Sequence, residues 1–475
     1  MKLIIFGIGR FYERRKERLF ESLGNNQIVA FIDNKIEEDT VFESNYMLCN
    51  PKRVKILEYD QIILMSYSFY EMKQQLMEYG VGPDKIILWE QYYGEKLQGH
   101  MKFFTSNSNK ETCKKKILIV THTLEYGGGS VAAAYASMAL QQRGYTVWIA
   151  TPVIDRQYVN ELVDNGCNIA YIPCLPYMGE KEKTFFSYFD IILVNVFPMI
   201  KCACDIVKMK PTLWWIHENS NDYDTAYEIG QKKFPDYDNL DSMKKIHISA
   251  VSGIARDNFE LYYPKRIDSI LPFGIPDEYN KDFSVKEHSN KKYVFAIIGP
   301  ICERKGQIVL ARALKLFTDQ ERDQMECWLI GESNTGLYSD EVKRMTVQFP
   351  EIRIMGKMTR QELKQAFTHI DSVICTSLEE TMSIAVVEGM MFEKLCITTN
   401  KTGIAEFIQN GENGFICEAG NVKALANTIR YILQNSEKLN SVREKARETY
   451  EKYFTLDCFG ERLEQELIDT ENHYK

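Results

Sequence analysis

Cys375-Thr376-Ser377-Leu378-Glu379-Glu380-Thr381-Met382-Ser383-Ile384-Ala385-Val386-Val387-Glu388-Gly389-Met390 reads as a buried strand ending at Ser377, a loop carrying two carboxylates, and a helix starting near Ser383. Ser383 is placed to cap that helix, leaving the amides around Ile384 and Ala385 free to face an anion. Glu380 lies in the loop and Glu388 inside the helix. The two need not share a helix face, so they can grip separate parts of one extended ligand. Carboxylates suit sugar and ribose hydroxyls because they accept paired hydrogen bonds. Standing alone, the stretch would read as a solvated acidic loop before an ordinary helix, and its neighbours decide the matter.

Working outward, strands at Tyr293–Ile298, Cys327–Ile330, Ile352–Met355, Ser372–Thr376 and Leu395–Thr398 alternate with helical stretches near Gln307–Phe317, Arg360–Ile370, Ile384–Phe392 and Val422–Leu433. This is the pattern of a doubly wound α/β domain. A second such unit opens with the strand Ile117–Val120 and runs to about Pro276, and a smaller one fills Met1 to about Trp89. The expected division is a Rossmann-like module over 1–92, a polar connector over 93–116, one lobe over 117–284 and a second over 285–475, whose last helix is free to cross back. Two α/β lobes in tandem invite a ligand cleft between them, at the carboxyl ends of their strands.

Composition narrows the partners. With 58 Lys and Arg against 66 Asp and Glu, the formal charge is −8, which disfavours nucleic acid because phosphate neutralisation needs surplus cations. Twelve cysteines are scattered without CxxC or zinc-ligand spacing, so they read as reduced core residues and imply no metal. No apolar run approaches the roughly 18 residues of a membrane span. Met101, Phe103 and Phe104 in the connector leave room for contact with a membrane surface. The expected location is cytoplasmic, with the inner membrane face as the place of any such contact.

Two further pieces carry chemistry. Gly127-Gly128-Gly129-Ser130 follows a strand and opens an Ala-rich helix; Gly128 and Gly129 would let backbone pass close to a diphosphate, although a flexible turn fits equally well. Arg304-Lys305-Gly306 stands just after the strand that ends near Gly299, where a cation can neutralise a departing phosphate.

Taken in order, these pieces resemble the retaining GT-B glycosyltransferases of family 4. Glu380 and Glu388 match the family's Glu-x7-Glu signature. Gly127–Ser130, Leu271–Pro276, Gly299 to Gly306, Gly356, Glu362-Leu363, Asp371, Ser377, Gly403–Glu406 and Gly411–Gly414 follow its other landmarks, over roughly three-quarters of the chain. The resemblance implies a GT-B fold of two Rossmann-like lobes with an interlobe cleft, 117–284 taking the acceptor and 285–475 the donor. It implies that Glu380 holds the transferred sugar, Glu388 holds the nucleotide ribose, and Lys305 with Arg304 balances the diphosphate. Amides near Ser383, Ile384 and Gly128 would complete the phosphate cradle, and His217, at the end of Leu213–Ile216, falls where the family often has an active-site histidine. The implied partners are a nucleotide-sugar donor and a glycan, lipid-linked or protein acceptor, with no resident cofactor and no obligatory metal. The chain departs from the pattern at Pro300, where many members carry Arg, and at Met382-Ser383, where Phe-Gly is usual. A non-catalytic partner subunit that keeps the fold is the alternative from another class; a relative that hydrolyses or phosphorolyses glycosides is a third.

The first 92 residues carry Gly7-x-Gly9 and a downstream Asp33, but Tyr12 occupies the third glycine position of a dinucleotide fingerprint. A docking or regulatory module fits this departure better than a nucleotide-binding one.

Overall fold

The computed structural model describes every residue except 44, 107–113, 224–242, 265, 280–291 and 334–335. The polar stretch 286–292, which the sequence offers as the connector between the two larger units, lies outside the described residues but for Lys292, and so does most of 219–239, a charged and aromatic stretch that the sequence offers as a loop shaping acceptor choice.

Three sheets follow one another along the chain. The first runs Thr40–Phe42, Tyr46–Cys49, Gln27–Ile32, Lys2–Phe6, Gln61–Leu64, Ile86–Leu88, parallel except for the first pair. Leu3 and Ile5 enter one apolar cluster while Ile4 and Phe6 enter another. Burial on both faces is why this strand reads as an unbroken apolar run rather than an alternating one.

The second sheet runs Ser269–Ile270, His247–Ala250, Thr212–Ile216, Ile191–Asn195, Lys116–Val120, Thr146–Thr151, Asn168–Tyr171, Lys102–Phe104. Trp214 and Trp215 are both fully buried and belong to opposite faces. Each finds an acceptor for its indole N–H, Val196 O and Leu271 O, both at 3.0 Å, as a buried indole must. The third sheet runs Ile352–Gly356, Met325–Ile330, Tyr293–Ile298, Ser372–Ile374, Leu395–Thr399, Phe415–Cys417, all parallel.

One apolar cluster joins the second and third sheets. It contains Ala139 and Trp215 from one lobe, Val386 and Met390 from the other, and Tyr450, Phe459 and Leu463 from the last two helices. The final helix, Leu456–Tyr474, lies against the helix Gly128–Gln142, so closely that a Cβ on Gly460 would stand 2.8 Å from Arg143 Cδ. Glu464 receives Arg143 at 2.9 Å and Lys114 at 2.8 Å, and Tyr450 donates to Ile275 O at 3.0 Å. The chain's last segment therefore binds the lobe that its sequence position would not suggest.

The polar stretch read as a connector over 93–116 is not wholly irregular. Helix Trp89–Lys96 runs into it, and Lys102–Phe104 pairs antiparallel with Asn168–Tyr171 at the edge of the second sheet. Three residues are too few to display a period, and the strand is held by tertiary contacts: Phe103 meets Trp148 at 5.7 Å and Phe185 at 5.3 Å. Among the described residues no helix is long and apolar enough to cross a membrane.

Candidate functional site

Lys305 ends a short 3-10 turn after the strand Tyr293–Ile298. Gly306 then adopts φ +66°, where a Cβ would stand 2.4 Å from Thr376 O, so only glycine lets the turn close onto the neighbouring loop. That loop is tied to the turn from both sides. Thr376 Oγ1 donates to Lys305 O at 2.8 Å and the Leu378 amide to Arg304 O at 2.8 Å. The result brings Lys305 Nζ to 2.6 Å from Glu380 Oε1, with both side chains about nine-tenths buried. Ser377 Oγ donates to the other Glu380 oxygen at 2.7 Å. Burial alone would push the Glu380 carboxyl up, but the Lys305 ammonium and the hydrogen bonds outweigh it and hold the group below its ordinary value. An ionised carboxylate beside a buried ammonium is thus built into the loop.

Glu388 lies in the helix Ile384–Met391 and is buried. Its carboxylate is held by Arg360, which also reaches Glu278 at 3.0 Å. Here burial wins over the guanidinium, and Glu278 adds its repulsion, so the Glu388 carboxyl is raised. Ser383 sits at the N-cap without capping: its hydroxyl is buried and has no partner. The expected cap is therefore corrected; β-region backbone at Ser383 starts the helix, and the hydroxyl is left over. Unmet first-turn amides beside an unpartnered hydroxyl are a place for an acceptor-rich anion.

The other lobe contributes the opposite wall. His217 follows the strand Thr212–Ile216, its ring 4.2 Å from that of Trp215, and Nε2 is buried without a partner. Burial pushes the imidazole down to about 3, so the ring is neutral. Its carbonyl accepts from Thr381 Oγ1 at 2.7 Å, which sets His217 against the residue following Glu380. Glu379 receives the Ser220 amide and hydroxyl, both at 2.6 Å, and Asn258 at 2.9 Å. The lobes thus meet on the loop that carries Glu380.

Helix Gly128–Gln142 takes in the glycine run itself, so Gly128 and Gly129 form its first turn and Gly127 its N-cap. Gly127 and Gly128 are exposed, and a Cβ on either would meet nothing within 4 Å. Neither is required by crowding. Gly129 is tighter, 3.0 Å from Val196 Cγ1, and its carbonyl accepts from Asn195 at 2.9 Å. Arg304 donates to Glu379 O at 3.2 Å. Its guanidinium therefore props the loop as well as standing beside Lys305.

Four contributors escape the sequence reading: Arg360, Ser377 as a partner of Glu380, Glu218 and Val196. Arg360 had a signal, because Thr359-Arg360-Gln361-Glu362 is a capping box, with Thr359 accepting from the Glu362 amide. Such a box puts Arg360 at the first helical position, just past a strand's carboxyl end. Glu218 accepts from the Phe197 amide at 2.7 Å and the His217 amide at 2.9 Å, and burial raises its carboxyl to about 7 against their pull. Val196, at φ +79°, had no signal at all. A β-branched residue in that region is strained. Hydrogen bonds hold it there, its amide to Trp215 O at 2.9 Å and its carbonyl from Trp214.

A cavity of about 730 Å³ lies between the lobes, with Tyr126, Tyr135, Glu278 and Arg360 in its wall. Lys305 and Glu380 do not line it; they lie beneath the seam where the lobes touch.

Residues 278–449 match the family described as glycosyl transferases group 1, and residues 1–87 match the C2185-like N-terminal family. The capsular polysaccharide biosynthesis glycosyltransferase CapM of Staphylococcus aureus is 23% identical over 59% of this chain and 65% of its own length. N-acetyl-alpha-D-glucosaminyl L-malate synthase of Bacillus anthracis is 28% identical over 22% of this chain and 27% of its own length. The matches thus span less than two thirds of the length of these relatives. Among solved structures, HepE of Anabaena, in complex with UDP-glucose, superposes with TM-score 0.62 at 16% identity, covering 75% of this chain and all of that one. The chain has the GT-B glycosyltransferase fold behind a separate N-terminal α/β domain, and its C-terminal lobe matches glycosyl transferases group 1.

Proposed function

We propose that the chain is a retaining glycosyltransferase of the family-4 type, moving a sugar from a nucleotide-sugar donor to a glycan, lipid-linked or protein-linked acceptor. The observation that carries this reading is the buried Lys305–Glu380 pair at the lobe seam, beside the unpartnered Ser383 hydroxyl at a helix start. A buried ion pair is costly unless it serves something. This one places a cation for a leaving diphosphate and a carboxylate for sugar hydroxyls within one contact of each other.

In the proposed reaction the acceptor hydroxyl bonds to the anomeric carbon as the bond from that carbon to the diphosphate breaks. The departing phosphate takes the acceptor's proton on the same face. Lys305, supported by Arg304, stabilises the charge that develops on that phosphate, and such electrostatic stabilisation lowers the barrier more than any other single effect. Ser383, Ile384, Gly128 and Gly129 offer amides and close backbone approach to the phosphates, and Glu388, steadied by Arg360, receives the ribose. Neutral His217 holds a hydrogen-bonding nitrogen at the seam. The reaction needs no resident cofactor and no obligatory metal in this scheme, and the proposed setting is the cytoplasm or the inner membrane face, in surface polysaccharide or glycoconjugate synthesis. CapM and the UDP-glucose complex of HepE support the class of donor and of product.

The test is a panel of UDP-, GDP-, ADP- and dTDP-sugars, read by thermal stabilisation and by slow donor hydrolysis. One donor should stabilise the protein and be hydrolysed, and Glu388→Ala should remove the stabilisation. Silence with all four would sink the catalytic reading in favour of a non-catalytic partner subunit.

A further inference from the structure

A second groove, of about 1170 Å³, runs between the N-terminal domain and the acceptor lobe. Glu218 and Asp222, one and five positions past His217, line it. The N-terminal domain contributes Arg15, Arg18, Trp89, Glu90 and Tyr93 to the wall. That wall is fixed against the lobe. Gln98 Nε2 donates to Tyr177 O at 2.9 Å, the Gly99 amide to Glu182 at 2.6 Å, and a Cβ on Gly94 would meet Tyr177 Cδ2 at 2.8 Å.

The wall's chemistry is specific. Trp89 and Tyr93 stack at 5.0 Å with their planes 19° apart, Trp89 buried and Tyr93 half-buried. This presents an aromatic face with a polar tip, suited to the apolar face of a pyranose ring. Arg15 and Arg18 belong to a run in which five cations, Arg10, Arg14, Arg15, Lys16 and Arg18, outnumber Glu13 and Glu17 in a chain of net charge −8. Lys16 is engaged by Glu13 and Glu43. Among the described residues neither Arg15 nor Arg18 has a carboxylate within ion-pair distance. The Arg15 guanidinium is held 3.8 Å over the Phe11 ring and spends one N–H on Phe11 O at 3.4 Å, which leaves other donors of its fork for an anion. The groove exceeds the roughly 300–1,000 Å³ of a site for one small molecule, so several linked residues fit it better than a monosaccharide. The N-terminal domain's own crevice is smaller, about 410 Å³, and the Asp33 carboxylate within it accepts from the amides of Ile8 and Lys35.

We propose that this groove is the acceptor subsite and that the N-terminal domain is its far wall: a sugar ring of an acidic acceptor oligosaccharide packs on Tyr93, which buried Trp89 backs, and a carboxylate or phosphate of that acceptor sits on Arg15 and Arg18. The inference rests on the transferase reading above and adds to it the charge of the acceptor.

The experiment uses the full chain on an array of length-matched neutral, uronate-bearing and phosphate-bearing oligosaccharides. Acidic ligands should retain the protein roughly tenfold more strongly than neutral ones, the scale of one charge-assisted contact. Whichever acidic arm binds names the anion. Arg15→Glu/Arg18→Glu should abolish the preference, exposed Arg18→Glu alone should weaken it, and Tyr93→Ala should lower binding to acidic and neutral ligands alike. Equal retention of neutral ligands, no retention of any, or an acidic signal unmoved by Arg15→Glu/Arg18→Glu would overturn the proposal. Donor-induced stabilisation, measured on the same proteins, separates the two readings. A silent array with intact donor stabilisation removes the groove and leaves the transferase, whereas an Arg15- and Arg18-dependent acidic signal without any donor response leaves a glycan-binding groove and removes the transferase.

Discussion

The N-terminal domain and the C-terminal lobe open alike: an apolar strand, a glycine at positive φ (Gly7 at +98°, Gly299 at +141°), then a turn carrying arginine. They part in what their charges do. In the N-terminal domain the Asp33 carboxylate is satisfied by the chain's own amides, Ile8 at 3.2 Å and Lys35 at 3.0 Å, and the helix after Gly9 lasts only from Arg10 to Glu13. In the C-terminal lobe Lys305 and Glu380 are buried against each other, and the Ser383 hydroxyl has no partner. The same strand–turn–helix frame is thus closed around Asp33 in one place and keeps unused bonding capacity at Ser383 in the other. Fold does not make a site; buried charge with capacity to spare does.

That contrast is open to breakage. Lys305→Ala should lower donor turnover by about two to three orders of magnitude, as for the loss of a preorganised charge at a leaving group, while Asp33→Ala should leave it unchanged. Equal losses would erase the distinction. The same Lys305→Ala change leaves Glu380 buried and unpaired, at a cost of about 3–5 kcal/mol in chemical denaturation. Its pH dependence has a definite sign. Because the folded Glu380 carboxyl lies below its ordinary 4.5, the pair's contribution is fully present above that value and fades as pH falls through the folded one. Wild type and Lys305→Ala should therefore converge in stability as pH falls below 4.5 and through the lower folded value.

Arg360→Ala comes next. Losing the guanidinium leaves Glu388, already raised by burial, to protonate, and donor affinity measured by calorimetry should weaken by about tenfold. Asp33→Ala should cost about 1 kcal/mol, from amides that lose their acceptor, with faster hydrogen exchange confined to the N-terminal domain. Smallest is Val196→Gly. Relief at φ +79° should offset glycine's entropy to within about 1 kcal/mol, against a clear loss for a buried valine in ordinary strand geometry.

Much of the C-terminal lobe was legible because its signals are local. Strand runs buried on both faces stay apolar throughout, and the spacing of Glu380 and Glu388 survives in one dimension. Where the reading ran short, the cause was contact across distance. Lys102–Phe104 is a strand only because Asn168–Tyr171 lies beside it. The idle hydroxyl of Ser383 could not be told from a capping one by residue type, since serine serves both. Arg360 sits 28 positions from Glu388, and nothing in the sequence links them until two strand ends are brought to one cleft.

The sequence by itself determined the α/β class, the succession of units and the set of charged residues at strand ends, because periodicity and short motifs are properties of neighbours along the chain. Tertiary structure alone decided which charge meets which. It closed Lys305 onto Glu380, gave Arg360 to Glu388, laid the last helix against the helix Gly128–Gln142 of the other lobe and set Arg15 and Arg18 in the wall of a groove. Burial and pairing depend on what packs from far along the chain, and they set both the energy of a charge and whether it is free to act.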